Sequence, residues 1–119
     1  MVAGTSSGVL GFASAGPGRD RDVTSMIGEL YALYVAPSAT GQGIGTALLA
    51  DAVARQRARA CHAMTLWVLR DNLHARHFYE ASGWYADGAE ATETDGDCTF
   101  HDVRYRLVLG PETDGGERP

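Results

Sequence analysis

The stretch "TGQGIGTALLADAV" sets Gly41, Gly43 and Gly45 at alternate positions directly ahead of a run of helix formers. A helix start leaves its first backbone N–H groups unpaired at the positive end of the helix dipole, so an anion finds donors there. Glycine removes the Cβ atoms that would hold a bulky anion away from the backbone. This spacing suggests diphosphate binding by main-chain amides; the alternative is a glycine-rich turn with no ligand. Two other phosphate loops do not fit. All ten basic side chains are arginine, which excludes a GxxxxGK[ST] loop, whose lysine is the charge on the terminal phosphates. A dinucleotide fingerprint GxGxxG/A fails in both registers, with Thr46 or Leu48 at its last position, and Asp71 lies too far along the chain to be its ribose ligand.

The elements around this loop follow from local pattern. "GVLGFASAG" and "GELYALYVAP" read as strands joined through "PGRDRD", and are expected to pair antiparallel. From Gly43 to about Ala60 the chain reads as a helix with Gly45, Leu48, Leu49, Ala52, Val53 and Gln56 on one face and an exposed Asp51–Arg55 pair. "AMTLWVL" is apolar enough for a strand buried on both faces. Asp71 or Asn72 can cap the next helix, which runs to Ser82 and stops at Gly83. "TDGD" between two extended runs marks a closing hairpin. The order β, β, α, β, α, β, β predicts an α/β (α+β mixed) domain, a mixed and mostly antiparallel sheet with flanking helices.

A length of 119 residues bounds the chain to one domain, taken as 1–110, with 111–119 as a polar tail. A net charge of −5 argues against a nucleic-acid surface. No apolar run approaches the roughly 20 residues of a membrane span. The N-terminus lacks the pattern of a secretory signal, so the expected location is the cytoplasm. Cys61 and Cys98 form no metal spacing and read as inert thiols. His74 and His77 lie i,i+3 on a helix without a third ligand nearby, so they read as surface histidines and no metal is expected. Tyr31, Tyr34, Trp67, Trp84 and Tyr85 read as core or pocket wall.

"GELYALYVAPSATGQGIGTALL" followed by "LWVLRDNLHARHFYEASGW" resembles the GNAT N-acetyltransferase superfamily over nearly the whole chain. "TGQGIG" is similar to the family's Q/R-x-x-G-x-G/A loop, and Asn72, Ala75 and Tyr79 to its N-x-x-A-x-x-x-Y helix. The resemblance implies acetyl-CoA as co-substrate. Its diphosphate would sit on the loop through Gly41 and the amides of Gln42, Gly43, Ile44, Gly45 and Thr46. Thr40 stands where the family usually carries Arg or Gln. Its pantetheine arm would lie as an added strand between "LYALYV" and "TLWVL", paired with the backbone of Leu33 and Val35, with Tyr34 between them also marked as cofactor-binding. Tyr79 would protonate the leaving thiolate, Glu29 would accept the amine proton, and an N–H near Val35 would meet the oxyanion. Residues 72, 75 and 79 share a helix face, with Ala75 leaving room for the arm. The bland readings stand beside these: Glu29 as a solvated strand-end charge, Asn72 as a helix cap only, Tyr79 as a core aromatic.

Relative to the family the chain starts late, so the usual first strand and first two helices are expected to be missing. "MVAGTSSGVLGF" then matches the end of the family's second strand, a short hairpin and the third strand. The exposed sheet edge this leaves predicts a homodimer. Two functions follow: acetyl transfer to a primary amine of a small molecule or protein, or an acetyl-CoA-binding sensor or complex subunit without turnover.

Overall fold

The computed structural model describes residues 2–5, 8–20, 26–41 and 43–110. Gln42, part of the "PGRDRD" connection and the tail expected at 111–119 lie outside them. The strands are β1 (Val2–Thr5), β2 (Gly8–Pro17), β3 (Ile27–Val35), β4 (Ala63–Leu69), β5 (Tyr85–Asp95) and β6 (Cys98–Val108). The helices are α1 (Ile44–Ala58) and α2 (Leu73–Ala81), with a short 3-10 turn at Pro37–Ala39. The β1–β2 hairpin and all later elements match the expected order, and α1 ends two residues before the expected Ala60.

One sheet runs in the order β1-β2-β3-β4-β6-β5. Neighbours are antiparallel except β3 and β4, which are parallel because α1 carries the chain back between them. Residue rows cross the sheet by register. Leu30, Leu66 and Tyr105 form one row, and Glu29, Thr65 and Arg106 the adjacent row on the opposite face.

The first row faces the helices. Leu48, Leu49, Ala52 and Gln56 of α1 are buried against it, as the helical spacing predicted. Burying each of those leucines contributes about 1.5–3 kcal/mol. Close approach is permitted by Gly28, where a Cβ would come within 2.6 Å of Gln56 Oε1. On the other side of the same face, Tyr105 donates from its hydroxyl to Glu80 of α2 and accepts from Arg76 Nε at 3.0 Å. Asn72 Oδ1 caps α2 by accepting from Ala75 N–H at 3.1 Å. Asp51 and Arg55 pair at 2.6 Å on the exposed side of α1.

The opposite face carries an ion cluster. Arg104 donates to Asp87 at 2.8 Å and to Asp20 at 3.2 Å, Arg106 donates to Asp87 at 3.2 Å, and Trp67 Nε1 donates to Asp20 at 3.0 Å. A three-residue bulge lifts Asp87 into this position, since β5 steps from Ala86↔Tyr105 to Glu90↔Val103. Among the aromatic residues left between core and pocket, Trp84 is core, while Tyr34 and Tyr85 are exposed and belong to neither. Cys61 and Cys98 are free thiols.

Candidate active site

Pairing between β3 and β4 stops at Leu30↔Leu66, although β3 continues to Val35 and β4 to Leu69. The cause lies on the other edge of β3. Its register with β2 runs Ser14↔Ala32 and then Ala15↔Leu30, which leaves Tyr31 as an extra residue. Such a bulge bends a strand and shifts its side-chain phase. Beyond it, Leu33 and Val35 turn to the helix side, while Tyr34 turns to the far side and packs on Phe12 with ring centroids 5.7 Å apart. Ala36 N–H donates to Leu10 on β2 at 2.7 Å, so strand alternation aims the amides of Val35 and Leu33 away from β2, into the gap.

A cavity of about 460 Å³ opens on the helix side of this gap. Its wall contains Leu33, Val35, Thr40, Gly41, Gly43, Ile44, Gly45, Thr46, Ala75 and Tyr79, all marked from the sequence. His74 and Phe78 complete it. Phe78 was missed, although it continues the Ala75–Tyr79 face by one helical turn and could have been found by that periodicity. His74, read as a surface residue, is exposed and stands at the cavity wall. Among the described residues no cluster of three metal-binding side chains occurs.

The glycines have separate roles. Gly41 and Gly43 adopt left-handed conformations, φ 81° and 78°, and a Cβ on either would meet nothing within 4 Å. Both also line the cavity. Gly45 instead lets α1 approach β3 and α2: a Cβ there would lie 3.4 Å from Val35 and 3.6 Å from Phe78. The α1 hydrogen-bond ladder begins with Ala47 N–H to Gly43 at 3.0 Å, and Gly43 offers no side-chain cap. The amides of Ile44, Gly45 and Thr46 therefore precede the ladder and point out of the helix end. An anionic group fits this cradle. Thr40 is turned back, its hydroxyl donating to Pro37 O at 3.0 Å.

Tyr79 is buried, packed edge-on to Phe78 and tilted against Trp84. Burial raises its phenol pKa above the usual 10.0, so it carries its proton at neutral pH.

Three marked residues stand outside the cavity wall. Asn72 spends its side-chain oxygen on the α2 cap. Tyr34 faces the other side of the sheet. Glu29 lies on that far side too, at the foot of the gap, and is only 3% exposed, which overturns the reading of a solvated strand-end charge. Its Oε1 accepts from Arg19 N–H at 2.9 Å and its Oε2 from Arg19 Nη2 at 3.1 Å.

Residues 2–84 match the acetyltransferase (GNAT) family. The mycothiol acetyltransferase of Beutenbergia cavernae is 44% identical over 57 residues, covering 48% of this chain and 19% of that protein. N-alpha-acetyltransferase 40 of Saccharomyces cerevisiae is 43% identical over 70 residues, covering 52% of this chain and 25% of that protein. The chain thus spans about a quarter or less of either relative's length. The crystal structure of ribosomal-protein-alanine N-acetyltransferase from Brucella melitensis superposes with a TM-score of 0.78 at 26% identity, over 91% of this chain and 67% of that one. With the family match running over residues 2–84, well over half its length, the chain belongs to the GNAT acetyltransferase family.

Proposed function

We propose that this chain transfers the acetyl group of acetyl-CoA to a primary amine, on a small molecule or a protein, by direct attack within a ternary complex. The observation that carries this reading is the break in pairing after Leu30↔Leu66 beside the uncapped start of α1. The gap offers the unpaired backbone of Leu33 and Val35 to an extended pantetheine arm, and the α1 amides offer donors to a diphosphate.

Acetyl-CoA would supply an activated thioester, whose carbonyl carbon gains a C–N bond as the C–S bond breaks. An alkyl ammonium has a pKa of about 10.4, so it must lose a proton before it can attack. Glu29 is the proposed acceptor of that proton, directly or through water. Tyr79, protonated at neutral pH and on the cavity wall, is the proposed donor to the departing thiolate. The N–H of Val35 would meet the developing oxyanion. Asn72 acts in this scheme through its cap, which holds Ala75 and Tyr79 against the cavity. Because Glu29 lies on the face opposite the helices, donor and acceptor would enter from opposite sides of the sheet.

A second reading, acetyl-CoA binding without turnover, draws on one observation: both oxygens of Glu29 are already engaged by Arg19. Calorimetry with acetyl-CoA followed by CoA release across a panel of amines separates the two. Binding with release supports transfer, binding alone supports the sensor, and neither rejects both. Pairing of two copies along the β1 edge and a cytoplasmic location complete the proposal; a monomer in sedimentation at micromolar concentration counts against the pairing. No helix among the described residues is long and apolar enough to cross a membrane.

A further inference from the structure

The Glu29 side chain is 4% exposed, yet the side chain that neutralises it, Arg19, is 64% exposed. Oε1 is held by the Arg19 main-chain N–H, so its placement does not depend on the Arg19 side chain. Only Nη2 reaches Oε2, while the guanidinium lies over the Tyr31 ring, 3.9 Å from its centroid. Tyr31, the bulge residue, is seated on Gly16, where a Cβ would come within 2.8 Å of the phenol oxygen. Beside Glu29 in the β3–β4 register, Thr65 is fully buried, and its hydroxyl has no hydrogen-bond partner among the described residues.

A buried carboxylate left without a cation is costly, whereas a single contact to a solvent-exposed guanidinium is weak and easily exchanged. An ammonium has three donors on a compact centre and can satisfy both a carboxylate and a hydroxyl lone pair. Of the other charges on this face, Asp20, Arg104, Asp87 and Arg106 are engaged with one another.

The geometry points to a cation subsite formed by Glu29 and Thr65, in which the Arg19 guanidinium is a resident stand-in that the acceptor's ammonium displaces. Arg19 is then a specificity-determining residue, favouring a primary ammonium on an unbranched methylene stem. Such a stem can pass the Tyr31 face, which itself attracts a cation, and reach the carboxylate where the Arg19 guanidinium leaves it. Once seated, the ammonium loses an N–H proton to Glu29 and keeps the electron pair that attacks the thioester. This inference rests on the transfer reading, and its test includes a readout independent of turnover.

Arg19→Ala is compared with wild type and Arg19→Lys, using n-butylammonium as acceptor. The expected result is a KM about tenfold lower in Arg19→Ala, near wild type in Arg19→Lys, and competition by millimolar methylguanidinium in Arg19→Ala alone. An unchanged or raised KM, or a fall in kcat alone, overturns the stand-in role. If Arg19→Ala fails to fold, Arg19→Gln replaces it. In parallel, n-butylammonium should protect Arg19→Ala against heating but not the Arg19→Ala, Glu29→Gln double variant. Selective protection without CoA release from any amine keeps the subsite and rejects only the transfer reading. Equal protection of both variants, or of neither, rejects the subsite.

Discussion

Replacing Gly43 by alanine separates the two demands on the glycine loop. Gly43 sits at φ 78° with open space where a Cβ would stand. The substitution meets no clash in the free protein, and its stability cost is the left-handed backbone penalty alone, about 1 kcal/mol. In a domain of this size that lowers Tm by roughly 5 °C. Gly43 lines the cavity, so with acetyl-CoA present the added methyl is expected to compete for space with a diphosphate seated on the α1 amides. Losing one amide contact to a charged phosphate costs about 1.5–3 kcal/mol, so Kd should rise roughly 10- to 100-fold. Gly88→Ala is the matched control: φ 94°, nothing within 4 Å, and a place in the β5 bulge away from the cavity. Both variants should melt at similar temperatures without ligand, and only Gly43→Ala should lose affinity in calorimetry. If Gly43→Ala binds acetyl-CoA as tightly as Gly88→Ala does, the cradle does not hold the diphosphate and the transfer reading loses its main support.

Tyr79→Phe should leave acetyl-CoA affinity unchanged and slow the chemical step at least 100-fold in single-turnover CoA release; an unchanged rate rejects the acid role. Because burial raises the Tyr79 pKa above 10.0, its contribution to stability is complete below that pH and is lost as pH rises through the higher folded-state value. Alkaline melting curves should therefore show a loss of stability above about pH 10 that is smaller in Tyr79→Phe. Asn72→Ala removes the α2 cap and should cost about 1 kcal/mol in urea denaturation with little change in donor affinity; a large rise in Kd would instead assign its side chain to the donor. Arg104→Ala strips Asp20 and Asp87 of a shared partner and should destabilise by about 3 kcal/mol, whereas a loss below 1 kcal/mol would mean the cluster does not hold the far face together.

Interactions spanning a few residues made much of this architecture legible in advance. The α1 face from Leu48 to Gln56 follows from side chains three and four apart, the Asn72 cap from one side chain reaching a nearby amide, and the Asp95–Cys98 turn from Gly96 at φ 63°. Gly41 and Gly43 announced themselves because few other residues adopt their backbone angles.

The parted strands were expected from family resemblance, but their cause could not be read from β3 alone. The extra residue at Tyr31 exists only in register against Ser14 and Ala15, and the same shift that turns Leu33 and Val35 to the cavity turns Tyr34 away. Glu29 looked equally suited to solvent or to catalysis. Its burial comes from the sheet face around it and from Arg19, ten positions earlier in the chain. Asp20 with Arg104, 84 positions apart, lies further still beyond any local pattern. Periodicity and capping are set by bonds that close within a helical turn or a hairpin, whereas strand register and ion pairing depend on which distant segments the whole chain brings together.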